Sequence, residues 1–242
     1  MRGAAATRQR AIALPLERLT SVVSETVLIP GGRDVCGSLD EASEATDEPD
    51  GGTPDRAESV VVACPPHPQH RGHRGDERLI AVSDALTADG VDCLRFDYGD
   101  WDEGRGELTD TRQALRWASE RYERVGLFGF SFGASVALLA AGGTSPAGEG
   151  GSALGVDLAA VSALAPTARL GPELDVVAAL DGVTCPVQVV AGERDTTVDW
   201  EPVVARAAEL GFAVRELSGD HFFVGRSETV AAAVSEFLLE YV

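Results

Sequence analysis

Residues 125–141 read VGLFGF-S-FGASVALLAA, and this stretch decides the fold. Its first six residues (125–130) form a short continuous apolar run, as expected of a strand buried on both faces. Residues 132–141 are small and apolar and predict a helix packed tightly on a sheet. Between them lies Gly129-Phe130-Ser131-Phe132-Gly133, a G-x-S-x-G pattern on a strand-to-helix turn. That context gives the pattern its meaning. A serine on a sharp turn projects its hydroxyl clear of the backbone, and the two glycines leave room where strand and helix come too close for a Cβ. The helix N-terminus behind Ser131 offers N–H groups to a developing oxyanion.

Outward from this stretch, strands and helices alternate. Residues 58–64 (ESVVVAC), 91–96 (VDCLRF), 159–164, 186–191 and 213–217 read as further strands. Residues 78–88, 109–122, 203–210 and 228–241 carry helical spacing; Leu79, Val82 and Leu86 recur at three and four residues. Residues 22–37 read as a hairpin, with strands 25–29 and 35–37 around Pro30-Gly31-Gly32. Strand–helix–strand repetition predicts an α/β fold: a mostly parallel sheet with helices on both faces and functional loops at the carboxyl ends of the strands. We expect one domain over residues 21–242, a disordered tail over 1–20 and a solvated acidic loop over 40–58. That loop carries eight acids and one arginine.

A serine hydroxyl needs a base, and the base needs an orienting carboxylate. In this topology the order along the chain is serine, acid, histidine. His221 is the only histidine after Ser131, and it follows the strand at 213–217. The acid is expected after the strand at 186–191, where Asp195 is the choice over Glu193 and Asp199. Asp220 adjoins the histidine and suits a loop brace better.

The ordered motifs resemble the α/β-hydrolase superfamily over about residues 20–242, and within it small lid-poor serine hydrolases akin to dienelactone hydrolases. The matching stretches are Cys64-Pro65-Pro66-His67-Pro68, Leu94-Arg95-Phe96-Asp97-Tyr98-Gly99, the Gly129–Gly133 elbow, Gly192-Glu193-Arg194-Asp195 and Asp220-His221-Phe222-Phe223. The resemblance implies an α/β-hydrolase fold without a large cap domain and a catalytic Ser131, Asp195 and His221. It implies a carboxylic ester hydrolase that uses no cofactor. Two departures are visible. Dienelactone hydrolases proper use a cysteine nucleophile where this chain has Ser131, and Asp100-Trp101-Asp102-Glu103-Gly104 is more acidic than the usual form.

The oxyanion hole is expected to use the N–H of Phe132 and one from the loop after Cys64. Pro65, Pro66 and Pro68 have no N–H. His67 and Gln69 remain, with Gln69 preferred. His67 and Trp101 are the expected substrate contacts. Arg71, Arg74 and Arg105 sit on active-side loops, where they either attract an anionic substrate or stay solvated. Two rival functions accompany the hydrolase. One is a non-catalytic binding protein on the same fold. The other is a metal site on Cys64, His67, His70 and His73, whose thiolate and imidazoles are ligands that zinc prefers.

Composition bounds the partners. The chain has 242 residues, 39 Asp+Glu and 20 Lys+Arg, all of them arginine, for a net charge of −19. Such an acidic protein lacks the basic face that nucleic acid or anionic lipid requires. No run of about 18 apolar residues predicts a membrane span. The first 19 residues lack the unbroken apolar core of a secretory signal. We expect a small-molecule ester as partner, a cytoplasmic location with reduced thiols, and no nucleic acid or membrane; monomer and dimer both stay open. The acid excess without lysine predicts a halophilic protein, because self-repulsion on this scale needs salt to screen it.

Overall fold

The computed structural model describes residues 23–42, 57–144 and 155–242. The expected tail over 1–20 lies outside these residues, as does the acidic loop from 43 to 56. The described residues form an eight-stranded sheet in the order β1-β2-β4-β3-β5-β6-β9-β10. Its strands are β1 Val23–Ile29, β2 Val35–Glu41, β3 Ser59–Cys64, β4 Asp92–Asp97, β5 Arg124–Phe130, β6 Leu158–Leu164, β9 Val187–Gly192 and β10 Ala213–Leu217. Within this sheet only the β1–β2 and β2–β4 pairings are antiparallel. Among the described residues six α-helices accompany the sheet: α1 Glu77–Ala88, α2 Arg105–Ser119, α3 Phe132–Ala141, α4 Val176–Ala179, α5 Glu201–Glu209 and α6 Ser227–Leu238.

The strands divide their side chains between two cores, as the two-residue period of a strand requires. Val60, Val62 and Cys64 of β3 face the core shared with α2, α3 and α5. Val61 and Ala63 face the core shared with α1 and α6. Every residue of β3 is buried, which explains why it reads as a continuous apolar run. Helices on both faces leave the carboxyl ends of the parallel strands as the open side of the molecule, and Ser131 follows directly on β5.

Two boundaries depart from the sequence expectation by four residues, each at a buried acid. The second hairpin strand continues four residues past Gly37, so Asp40 and Glu41 belong to β2 and not to a solvated loop. Asp40 is buried and accepts hydrogen bonds from Arg95 (Nε, 2.6 Å; Nη2, 3.0 Å) and from Ser83 Oγ at 2.6 Å. The pairing satisfies a carboxylate that no apolar pattern predicts inside. Likewise α2 begins at Arg105, four residues before the expected start. Glu107, fully buried, accepts from Asp102 N–H at 2.9 Å and Gly104 N–H at 2.8 Å, so its carboxylate caps the helix from within.

Between β6 and β9 lie a two-stranded ribbon, β7 Arg169–Leu170 with β8 Leu174–Asp175, the single turn of α4 and a 3-10 turn at Leu180–Gly182. Among the described residues there is no large cap domain, and no helix is long and apolar enough to cross a membrane.

Candidate active site

The turn from β5 into α3 holds Ser131 at φ +57° and ψ −118°, a conformation that side chains rarely adopt. The surroundings impose it. Ser131 N–H donates to Leu164 O of β6 at 2.8 Å. A Cβ on Gly129 would lie 2.3 Å from Gly133 O, so strand and helix meet at a distance that only glycine permits. Ser135 Oγ, one turn into α3, accepts from Thr167 N–H at 2.9 Å and ties the helix to the loop after β6.

The loops after β9 and β10 carry the other two groups. Ser131 Oγ lies 2.8 Å from His221 Nε2, and His221 Nδ1 lies 2.7 Å from Asp195 Oδ2. The side chains of Asp195 and His221 are 0% and 5% exposed, so this chain of hydrogen bonds is shielded from competing water. Asp195 is held from three sides. Its N–H donates to Gly192 O at 3.0 Å, its Oδ1 accepts from Thr197 N–H at 2.8 Å, and its carbonyl accepts from Trp200 Nε1 at 3.0 Å. Glu193 and Asp199 are exposed, and the carboxylate bonded to His221 Nδ1 is that of Asp195. Asp220 Oδ1 accepts from Phe222 N–H at 3.1 Å and braces its own loop.

The loop after β3 closes the site from the other side. His67 stacks on His70 and on Trp101, with ring centroids 4.5 Å apart in each case, and tilts against Phe132 at 5.0 Å. Burial, followed by the neighbouring His70, holds the His67 imidazole below its usual range and so favours the neutral ring. Its Nδ1 accepts from Gln69 N–H at 3.3 Å.

That bond corrects the expectation for Gln69. The Gln69 N–H turns back onto the loop, and Gln69 lines neither cavity beside Ser131. The metal arrangement does not assemble either. Cys64 points into the core with Sγ 3.7 Å from Thr111 Oγ1, burial pushes its thiol up to about 12, and His73 Nδ1 accepts from Gly75 N–H at 2.9 Å. Among the described residues no group of three or more His, Cys, Asp and Glu side chains is arranged to hold a metal ion.

Two cavities of about 440 Å³ each meet at His67, Phe132 and Leu170. The first contains Ser131 and His221, with Thr197, Val198 and Phe222 on its walls. The second is lined by Trp101 and by the β7–β8 ribbon. Leu170 and Thr197 escaped the sequence reading. Leu170 sits in a two-residue strand and Thr197 in an irregular loop, both too short to show periodicity, and only the fold brings them to the serine. Of the three loop arginines, Arg74 pairs with Asp97 and Arg105 with Glu173 at 2.9 Å. Arg71 lines the first cavity.

No protein-family model and no curated protein sequence matches the chain. Solved structures do. An alpha-beta serine hydrolase homologue from Coxiella burnetii is 24% identical, with a TM-score of 0.66 over 89% of this chain and 96% of that one. A serine hydrolase without a lid from Xanthomonas campestris is 22% identical, with a TM-score of 0.68 over 95% and 97%. Est1E from Butyrivibrio proteoclasticus is 21% identical, with a TM-score of 0.65 over 90% and 98%. Matches that span nearly the whole of both chains, on the strand order and crossovers described above, identify the architecture: this chain has the α/β-hydrolase fold.

Proposed function

We propose that this protein is a serine hydrolase that cleaves small esters or thioesters through an acyl-enzyme on Ser131. The observation that carries the proposal is the continuous hydrogen-bonded chain Ser131 Oγ–His221 Nε2–Asp195 Oδ2, built on a strained serine turn. His221 takes the Oγ proton as Oγ bonds to the carbonyl carbon. Asp195 keeps Nδ1–H of the imidazole oriented and stabilises the cation that forms. The Phe132 N–H stands in the first turn of α3, where helix donors have no intrahelical acceptor, and is the first oxyanion donor. The loop after β3 supplies the second. Its prolines have no N–H and Gln69 N–H is turned back onto His67 Nδ1, which leaves His67 N–H. His221 Nε2 then protonates the leaving oxygen or sulfur as its bond to the acyl carbon breaks. Water, deprotonated by the same nitrogen, releases the acid and restores Ser131.

Similar structures are described as serine hydrolases, one from Pyrococcus furiosus is described as an esterase, and another shows ferulic acid bound to Est1E, which supports the same class for this chain. The absence of a large cap among the described residues leaves the cleft open and favours small soluble substrates. Wild-type protein is expected to hydrolyse 4-nitrophenyl acetate and to be labelled by a fluorophosphonate at Ser131. Ser131→Ala is expected to lose both while keeping its circular dichroism spectrum. Undiminished hydrolysis by Ser131→Ala, or no labelling of the wild type, would refute the proposal.

A further inference from the structure

Charge is distributed unequally between the two cavities. In the second, every lining cation is neutralised: Arg105 pairs with Glu173 at 2.9 Å and Glu103 at 3.5 Å, and Arg169 pairs with Asp175. In the first, Arg78 is also neutralised. Its guanidinium pairs with Asp76 at 2.5 Å and Glu77 at 3.3 Å, donates to Phe222 O at 2.7 Å and lies over the Phe130 ring at 4.5 Å. Arg71 is different. Among the described residues it has no carboxylate within salt-bridge distance, although the chain as a whole carries a net charge of −19. An exposed cation that stays unpaired in so acidic a protein, on the wall of the cleft that contains Ser131, is placed to meet an anion from outside.

The loop that carries Arg71 is fixed. Arg71 sits at φ +67°, a left-handed conformation that costs an arginine free energy and a glycine almost none. Its N–H donates to Pro68 O at 3.2 Å, while His70 N–H and Gly72 N–H both donate to His67 O, at 2.9 and 3.0 Å. The same turn therefore holds His67 against Phe132 and sets Arg71 at the mouth of the cleft.

The chemistry of the leaving group decides which part of the substrate Arg71 meets. His221 must deliver its proton to the leaving atom, so the leaving group lies on the side of His221. That is the first cavity, with Thr197, Val198 and Phe222. The second cavity has neither Ser131 nor His221 on its walls and lies beyond Phe132 and His67, on the acyl side. Resting on the hydrolase reading above, we propose that Arg71 selects substrates whose leaving alcohol or thiol carries a negative charge, while the acyl side accepts an uncharged group.

The test compares two esters that differ only in the charge of the leaving group: 4-(butanoyloxy)benzoate and its methyl ester. The ratio of their kcat/KM values, taken between variants, cancels their different intrinsic reactivity. Arg71→Gln is expected to lower the preference for the anion about fivefold, the upper range for one solvent-exposed ion pair, and Arg71→Lys to keep most of it. Arg215→Gln makes the same change in net charge on the remote strand β10 and is expected to leave the ratio where it is. A second pair, mono-4-nitrophenyl glutarate and 4-nitrophenyl butanoate, moves the charge to the acyl side, and its ratio is expected not to respond to Arg71→Gln. An unchanged leaving-group ratio in Arg71→Gln overturns the proposal. So does an equal fall in Arg215→Gln, or a response of the acyl-side pair alone. Calorimetric binding of the product 4-hydroxybenzoate to Ser131→Ala, with and without Arg71→Gln, needs no turnover. Arg71-dependent binding without turnover in the wild type would refute the hydrolase and keep the anion site. Turnover without Arg71 dependence would do the reverse.

Discussion

Gly133→Ala tests whether the site works through the close approach of α3 to the loop after β3. A Cβ at this position would lie 2.3 Å from Cys64 O, 2.4 Å from Pro65 O and 2.7 Å from Cys64 C. All three are backbone atoms, so no side chain can swing away. Pro65 O is also the acceptor for Tyr98 Oη at 3.3 Å. Ordinary contact begins near 3.4 Å. The start of α3 and the turn leading to His67 must therefore separate by about 1 Å. That separation moves the Phe132 N–H away from the His67 N–H, the two donors assigned to the oxyanion, and shifts Ser131 Oγ relative to His221 Nε2. A misplacement of about 1 Å costs about 10²-fold in rate. Overpacking of a tight contact costs roughly 1–3 kcal/mol in stability. We expect kcat/KM for 4-nitrophenyl acetate to fall about a hundredfold in Gly133→Ala, with a lower Tm by differential scanning calorimetry and an intact far-UV spectrum. A variant within about threefold of wild type, melting at the same temperature, would show that the approach of helix and loop does not position the donors.

Three other outcomes are expected. Asp195→Asn keeps the shape of the acid but reverses the polarity of its bond to His221 Nδ1, so kcat should fall about 10⁴-fold with folding preserved; a loss below about tenfold would place the orienting role elsewhere. Asp40→Asn strands the half-buried Arg95 and should cost about 3 kcal/mol at neutral pH, measured by urea unfolding. The cost should depend on pH in one direction: burial alone would raise Asp40, but hydrogen bonds from Arg95 and Ser83 prevail and hold it below its usual 3.8. Its contribution is complete above the ordinary carboxylate range and is lost as pH falls through the depressed value, so wild type and variant should converge in acid, and a difference that stays constant would contradict this. Potassium chloride should raise the Tm as the screening length shrinks from about 10 Å at 0.1 M to about 3 Å at 1 M; a Tm that does not rise would remove the halophilic expectation.

Much of this architecture is legible in the sequence because local chemistry and fold agree there. The stretch at 125–141 has no second use: an apolar run too short for a helix, two glycines around a serine, then a mostly apolar run rich in alanine. The parallel strands read clearly because helices cover both of their faces. Legibility fails where a partner distant in sequence decides. The extension of β2 to Glu41 depends on Arg95, 55 residues away, and on Ser83, 43 away. The start of α2 depends on a glutamate folded back onto its own N-terminal loop. The choice between His67 and Gln69 turns on one hydrogen bond inside the loop after β3, where periodicity carries no information. Arg71, Arg74 and Arg105 are indistinguishable in the sequence, and only the fold shows which of them lack a carboxylate.

The strand order also governs how the chain is made. Ser131 lies at the end of β5, but β6 gains its second neighbour only when β9 pairs with it, and β10 follows β9 at the edge. During synthesis the apolar stretch Val161–Leu164 is thus an open sheet edge until residues 187–192 have left the ribosome. Such an edge is a template for pairing with another chain. Asp195 and His221 arrive with or after the strands that close it. A nascent chain therefore passes through this open-edge stage before Asp195 and His221 can join Ser131, and its yield in cells should depend on how quickly the last quarter of the sequence is translated.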